Sequence, residues 1–100
     1  MTSYNWLGYT PVISDSRLLN TVLRDQWGFK GVVISDYNGS YGYQYTDAAI
    51  RNGNDLMLGY GMAESNQVDT TAATVVIALR KACKNILYTV ANSEIGRAHV

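Results

Sequence analysis

Gly31-Val32-Val33-Ile34-Ser35-Asp36 is the stretch on which the fold turns. Its first five residues form a short, unbroken apolar run rich in β-branched side chains. Lack of polar–apolar alternation suits a strand covered on both faces, as in a parallel sheet. Upstream, Leu18, Leu19, Val22, Leu23 and Trp27 recur at helical spacing, with Arg17, Asn20, Thr21, Arg24 and Asp25 on the other face. Gly28 is placed to end that helix, and Ser14-Asp15-Ser16 to cap its start. Thr2 to Tyr4 reads as a short strand before it.

Downstream, a polar Gly- and Tyr-rich loop runs from Asp36 to Tyr45. A short helix over Thr46 to Arg51 is expected next, ended by Asn52-Gly53. Asp55-Leu56-Met57-Leu58 reads as another short buried strand. From about Asp69 the chain is expected to be helical, with Val76, Leu79, Cys83, Ile86, Leu87 and Val90 as its inward stripe. Cys83 on that stripe is read as a core thiol. The resulting order, strand and helix three times over, implies an α/β fold of parallel strands joined by crossovers. Ligands of such folds bind beyond the carboxyl ends of the strands. That places Asp36 and Tyr4 at a common site.

Composition narrows the field. The chain has 100 residues, 8 Lys+Arg against 8 Asp+Glu, and 47% hydrophobic residues, which is too apolar for a disordered tail. Zero net charge without a basic run argues against a nucleic-acid or anionic-membrane surface. One Cys and one His form neither a disulfide nor a zinc cluster. The longest apolar stretch, Ala72 to Leu79, falls far short of the roughly 20 residues that span a bilayer. Met1 to Asn5 has neither the charged nor the apolar region of a signal peptide. About 100 residues suffices for one small domain but not for a barrel of about 250.

Asp36 is the one carboxylate directly after a buried strand and before a Gly-rich loop. There it can act as nucleophile, base or ligand, or simply cap the loop by accepting backbone N–H groups. Asp36, Asn38, Ser40 and Asp47 have the spacing of a calcium loop, but Tyr41 stands where glycine is needed and the preceding segment is a strand. Gly59-Tyr60-Gly61 has Glu64 where a dinucleotide fingerprint needs its third glycine. Asn38-Gly39-Ser40 is formally a glycosylation sequon. Tyrosine supplies 8 of the chain's 11 aromatic residues. Those between Tyr37 and Tyr45 can stack on a sugar or pack the loop, with Tyr37 the best placed.

Three segments together resemble glycoside hydrolase family 3, the β-glucosidase-like enzymes. Met1-Thr2-Ser3-Tyr4-Asn5 is similar to the family's M-x-S-Y-N strand end. Leu23-Arg24-Asp25-Gln26-Trp27-Gly28-Phe29-Lys30-Gly31-Val32-Val33-Ile34-Ser35-Asp36 resembles its L-R-x-x-W-G-F-x-G-x-V-x-S-D signature. Ala49-Ile50-Arg51-Asn52-Gly53-Asn54-Asp55-Leu56-Met57 resembles A-x-x-A-G-x-D-L-x-M. The likeness continues through Ala78-Leu79-Arg80-Lys81 and Lys84-Asn85-Ile86-Leu87-Tyr88.

The resemblance implies a fragment of a (β/α)8 TIM-like barrel, about its last three βα units, over residues 1–93. It implies Asp36 as catalytic nucleophile and Tyr4 in the sugar subsite. Tyr37 stands where the family commonly has Trp, and Asn52 where Ala is usual. The reaction implied is retaining hydrolysis of terminal β-linked sugars, with no metal and no cofactor. The acid/base is expected from a following domain, other sugar ligands from earlier strands, and the fragment alone is expected to be inactive. Glu64 and Asp55 are the local acids, without an assigned role. Alternatives are a non-catalytic carbohydrate-binding relative and a small α/β interaction domain. Residues 94–100, Glu94-Ile95-Gly96-Arg97-Ala98-His99-Val100, depart from the family and back-translate to a sequence resembling a sequencing adapter. They are expected to be a non-native tail, with Met1 an internal methionine.

Overall fold

A computed structural model describes residues 1–37, 43–59 and 66–97. Chain order runs β1 (Trp6–Leu7), β2 (Thr10–Pro11), a 3₁₀ turn (Val12–Ser14), a π-helix (Arg17–Gln26), β3 (Ile34–Tyr37), α1 (Thr46–Arg51), β4 (Leu56–Leu58), α2 (Ala73–Ala91) and α3 (Glu94–Arg97). The architecture is mixed α/β, and β3 pairs with β4 in parallel, as the unbroken apolar runs imply. Ile13, Leu19, Val33, Ala49, Val75 and Ala82 are the buried apolar residues between sheet and helices.

The opening differs from the expected strand at Thr2 to Tyr4. Thr2 lies beside β3 and donates its N–H to the Ile34 carbonyl at 2.8 Å. Strand pairing begins only at Trp6, where Gly8, at φ 65°, reverses the chain into an antiparallel hairpin. That conformation is open to glycine at little cost.

β3 also starts three residues later than the apolar run suggests, because side chains take the earlier amides. Val32 N–H donates to the Thr89 hydroxyl at 2.8 Å, and Val33 N–H to the Asp55 carboxylate at 2.8 Å. β4 is not the buried strand expected: Leu56 is 43% and Leu58 41% exposed.

The helix ending at Gln26 winds more widely than an α-helix, with Trp27 N–H reaching the Val22 carbonyl at 3.0 Å. Gly28, at φ 72°, then turns the chain away. Trp27 therefore leaves the inward face and is exposed, while Leu19 of the same stripe is buried. Asp15 caps this helix through the amides of Arg17 and Leu18 and pairs with the Arg17 guanidinium at 3.1 Å. The Arg17 side-chain hydrogen bond, more than the two amides, holds the Asp15 carboxyl below the usual carboxylate range, against the effect of burial. A carboxyl depressed on folding stabilises above its unfolded value, about pH 4, and loses that contribution as pH falls through the folded value. Acid titration of unfolding should therefore show stability declining below about pH 4. Asp15→Asn should lower stability at neutral pH and flatten that decline, with Asp47 and Asp69, also depressed, contributing to the remainder.

α2 is rotated relative to the expected stripe. Val75 and Ala82 are buried and Leu79 and Ile86 of the expected stripe are half-buried, whereas Val76, Leu87 and Val90 are exposed. Cys83 is exposed as well, so it is no core thiol. Polar ties fix the helix's orientation. Thr89 takes the Val32 amide, Asn85 donates to Asp55 at 3.0 Å, and the Thr74 hydroxyl accepts from Arg51. No helix among the described residues is long and apolar enough to cross a membrane.

Candidate active site

Asp36 sits near the carboxyl end of β3, where the ladder is irregular. Ile34 faces Leu56 and Tyr37 faces Leu58, so three steps along β3 match two along β4. The extra residue is a β-bulge, a device that re-aims a side chain. Ser35 closes the gap: its hydroxyl donates to the Asp36 carbonyl at 2.7 Å and accepts the Leu58 N–H at 2.9 Å. Asp36 Oδ1 accepts the Tyr37 amide at 2.7 Å, which orients the carboxylate. Its second oxygen has no hydrogen-bond partner among the described residues.

The structure brings the sequence-derived aromatic residues together around that end. The Tyr4 hydroxyl donates to the Tyr37 carbonyl at 2.9 Å, and the Tyr43 hydroxyl to the Tyr4 carbonyl at 2.6 Å. Tyr43 also meets Trp6 edge-on, with ring centroids 5.1 Å apart. Tyr37 is partly exposed and Tyr4 half-buried beside it. Sequence reasoning missed Trp6, Tyr43 and Ser35 as site residues. The tyrosine cluster carried a signal for Tyr43, whereas the hairpin that delivers Trp6 had none. Beside Tyr43, Gln44 is fully buried and its side-chain amide has no hydrogen-bond partner among the described residues.

Asp55 serves a different purpose. Its carboxylate accepts from Arg24 at 2.7 Å and from the Val33 amide at 2.8 Å on one oxygen, and from Asn85 on the other. With its side chain 4% exposed, it holds the π-helix, the residue before β3 and α2 together. Arg24 additionally donates to the Gly31 and Gly53 carbonyls. Gly53, at φ 108°, comes close enough that a Cβ would lie 2.7 Å from the Asn20 side-chain oxygen, so a larger residue would push this corner apart.

A cleft of about 590 Å³ near Arg24, Arg51, Lys81 and Lys84 does not include Asp36. Of the calcium-spaced positions, Asn38 and Ser40 lie outside the described residues, as do Glu64 and the middle of the tyrosine loop. Asp47 is engaged by Arg51 and by the Asp69 amide. No group of three His, Cys, Asp or Glu residues among those described could hold a metal.

Asp36 thus lies at a bulge near the carboxyl end of a parallel strand in an α/β unit, next to Tyr37, whose carbonyl the Tyr4 hydroxyl holds. The family model described as "Glycosyl hydrolase family 3 N terminal domain" matches residues 1–97, and the chain belongs to that family. A periplasmic beta-glucosidase of Salmonella typhimurium is 57% identical over 37 residues, 37% of this chain and 5% of that protein. Beta-glucosidase B of Emericella nidulans is 39% identical over 75 residues, 75% of this chain and 8% of its own length. Beta-glucosidase A of Butyrivibrio fibrisolvens is 47% identical over 47 residues, 47% of this chain and 5% of its own. The chain thus spans less than a tenth of these curated relatives.

Proposed function

We propose that this chain is about three βα units of a (β/α)8 TIM-like barrel in a retaining glycoside hydrolase that cleaves terminal β-linked sugars. One observation carries the reading. Asp36 stands at a bulge with one carboxylate oxygen anchored by the Tyr37 amide and the other without a partner among the described residues. That is what a nucleophile needs: fixed direction and an unengaged lone pair.

In this reading the Asp36 carboxylate attacks the anomeric carbon as the bond to the leaving oxygen breaks, forming a covalent glycosyl-enzyme. A second carboxyl group, about 5–5.5 Å away, protonates the leaving oxygen and then activates the water that releases the sugar. Asp55 cannot take that role, since both its oxygens are engaged behind the sheet. A following domain supplies the acid/base, so the chain alone is inactive. Tyr4 and Tyr37 flank the sugar. The half-exposed Leu56 and Leu58 fit a sheet whose other side is covered by the remaining barrel strands.

A mechanism-based 2-fluoroglycoside applied to the full-length enzyme tests this. Mass spectrometry of the trapped intermediate should find the label on Asp36. A label elsewhere would overturn the assignment, and sugar binding without labelling would favour a non-catalytic carbohydrate-binding relative.

A further inference from the structure

We infer that Ser35 is a positioning residue for the Asp36 carboxylate, acting through the peptide unit that joins Asp36 to Tyr37. The inference rests on the nucleophile reading of Asp36 and adds to it the group that sets the nucleophile's direction. Both ends of that one peptide are held. Its carbonyl, that of Asp36, accepts the Ser35 hydroxyl at 2.7 Å, and its N–H, that of Tyr37, donates to Asp36 Oδ1 at 2.7 Å. A peptide is planar, so its carbonyl and N–H turn as one body. Whatever fixes the carbonyl therefore fixes the donor on which the carboxylate rests.

The hydroxyl is itself fixed. It accepts the Leu58 N–H at 2.9 Å, which occupies a lone pair and leaves its proton for the Asp36 carbonyl. Ser35 is fully buried, so water does not compete for either bond. The bulge explains why a side chain is engaged here. With Ile34 opposite Leu56 and Tyr37 opposite Leu58, Ser35 and Asp36 together face the single residue Met57. The Leu58 amide of β4 then reaches a hydroxyl on β3. Direction thus passes from β4 through Ser35 and one rigid peptide to the reacting group.

The test uses the full-length enzyme and a 2-fluoroglycoside, which labels the nucleophile and stops there. Mass spectrometry gives two separate quantities: how fast the label forms, and what fraction of the protein takes it. Misplacing a reacting group by about 1 Å costs on the order of 10²-fold, so Ser35→Ala should label Asp36 about that much more slowly. The labelled fraction should still rise to the wild-type level. The reagent concentration giving half the maximal rate should change by less than about threefold, since binding is untouched. Ser35→Thr keeps the hydroxyl and should recover most of the rate. Ser35→Cys keeps the volume with only a weak donor, so it should be slowed like the alanine variant and replaces it if that variant does not fold. Labelling of a reduced fraction at the wild-type rate would make Ser35 structural alone and overturn the inference. A threonine variant as slow as the alanine one would overturn it too, as would alanine and cysteine variants that both fail to fold. A wild-type label on a residue other than Asp36, or no label, would instead remove the nucleophile reading, and this inference with it.

Discussion

Asp36→Asn in the full-length enzyme should lower turnover on the order of 10⁴-fold or more, the scale seen when a covalent nucleophile is removed. The choice of asparagine separates chemistry from architecture. Its amide oxygen can still accept the Tyr37 N–H that anchors Oδ1 at 2.7 Å, so the bulge should persist. Asp36→Ala gives up that bond and should unfold about 1 kcal/mol more readily. Both variants should lose activity to the same degree despite their different stabilities. A small nucleophilic anion such as azide should revive Asp36→Ala, because the missing carboxylate leaves room for it, and should form a product of inverted anomeric configuration. Asp36→Asn, with that space still filled, should respond far less. Retention of activity within tenfold by Asp36→Asn would show that this carboxylate is not the nucleophile.

Arg24→Met is the substitution expected to damage the fold most. Arg24 and Asp55 have side chains only 15% and 4% exposed, and their 2.7 Å contact sits among the Gly31 and Gly53 carbonyls and the Val33 amide. Removing one partner of a buried ion pair leaves an uncompensated charge, at a cost of about 3–5 kcal/mol. That is a large share of the 5–15 kcal/mol typical of a whole domain. Denaturant unfolding should register the loss directly. The double variant Arg24→Met with Asp55→Asn should recover part of it, since asparagine buries no charge and can still accept the Val33 amide. If the double variant is as unstable as the single one, the loss comes from Arg24's contacts to backbone and to the Phe29 ring, not from the stranded carboxylate.

Much of this was legible in the residues. β-branched runs without alternation gave a parallel pair, and the limits Thr46 and Arg51 of the short helix follow from the Asn52-Gly53 stop. Asp36 could be singled out from its local sequence, although β3 runs one residue past it to Tyr37. Facing direction on α2 was not. Of its stripe Val76, Leu79, Cys83, Ile86, Leu87 and Val90, only Leu79 and Ile86 are half-buried, because Asn85 and Thr89 turn the helix partly aside by bonding Asp55 and Val32. Hydrophobic periodicity cannot anticipate polar bonds to residues 30 and 57 positions away. Trp6 was illegible for a related reason, since its place depends on Tyr43, far along the chain, and not on its own neighbours.

Those same distant bonds set a timetable. As the chain leaves the ribosome, the strand bearing Asp36 is finished early, but its anchors are not. Val32 must wait for Thr89, and Asp55 for Asn85, so the segment leading into β3 gains its last fixed amide only when nearly all of α2 has been made. Closing loops of that length precedes any reward from the contacts they bring. Until then, the half-formed sheet exposes apolar strands to whatever else is nearby, and the burden of protecting them falls on the cell and not on this sequence.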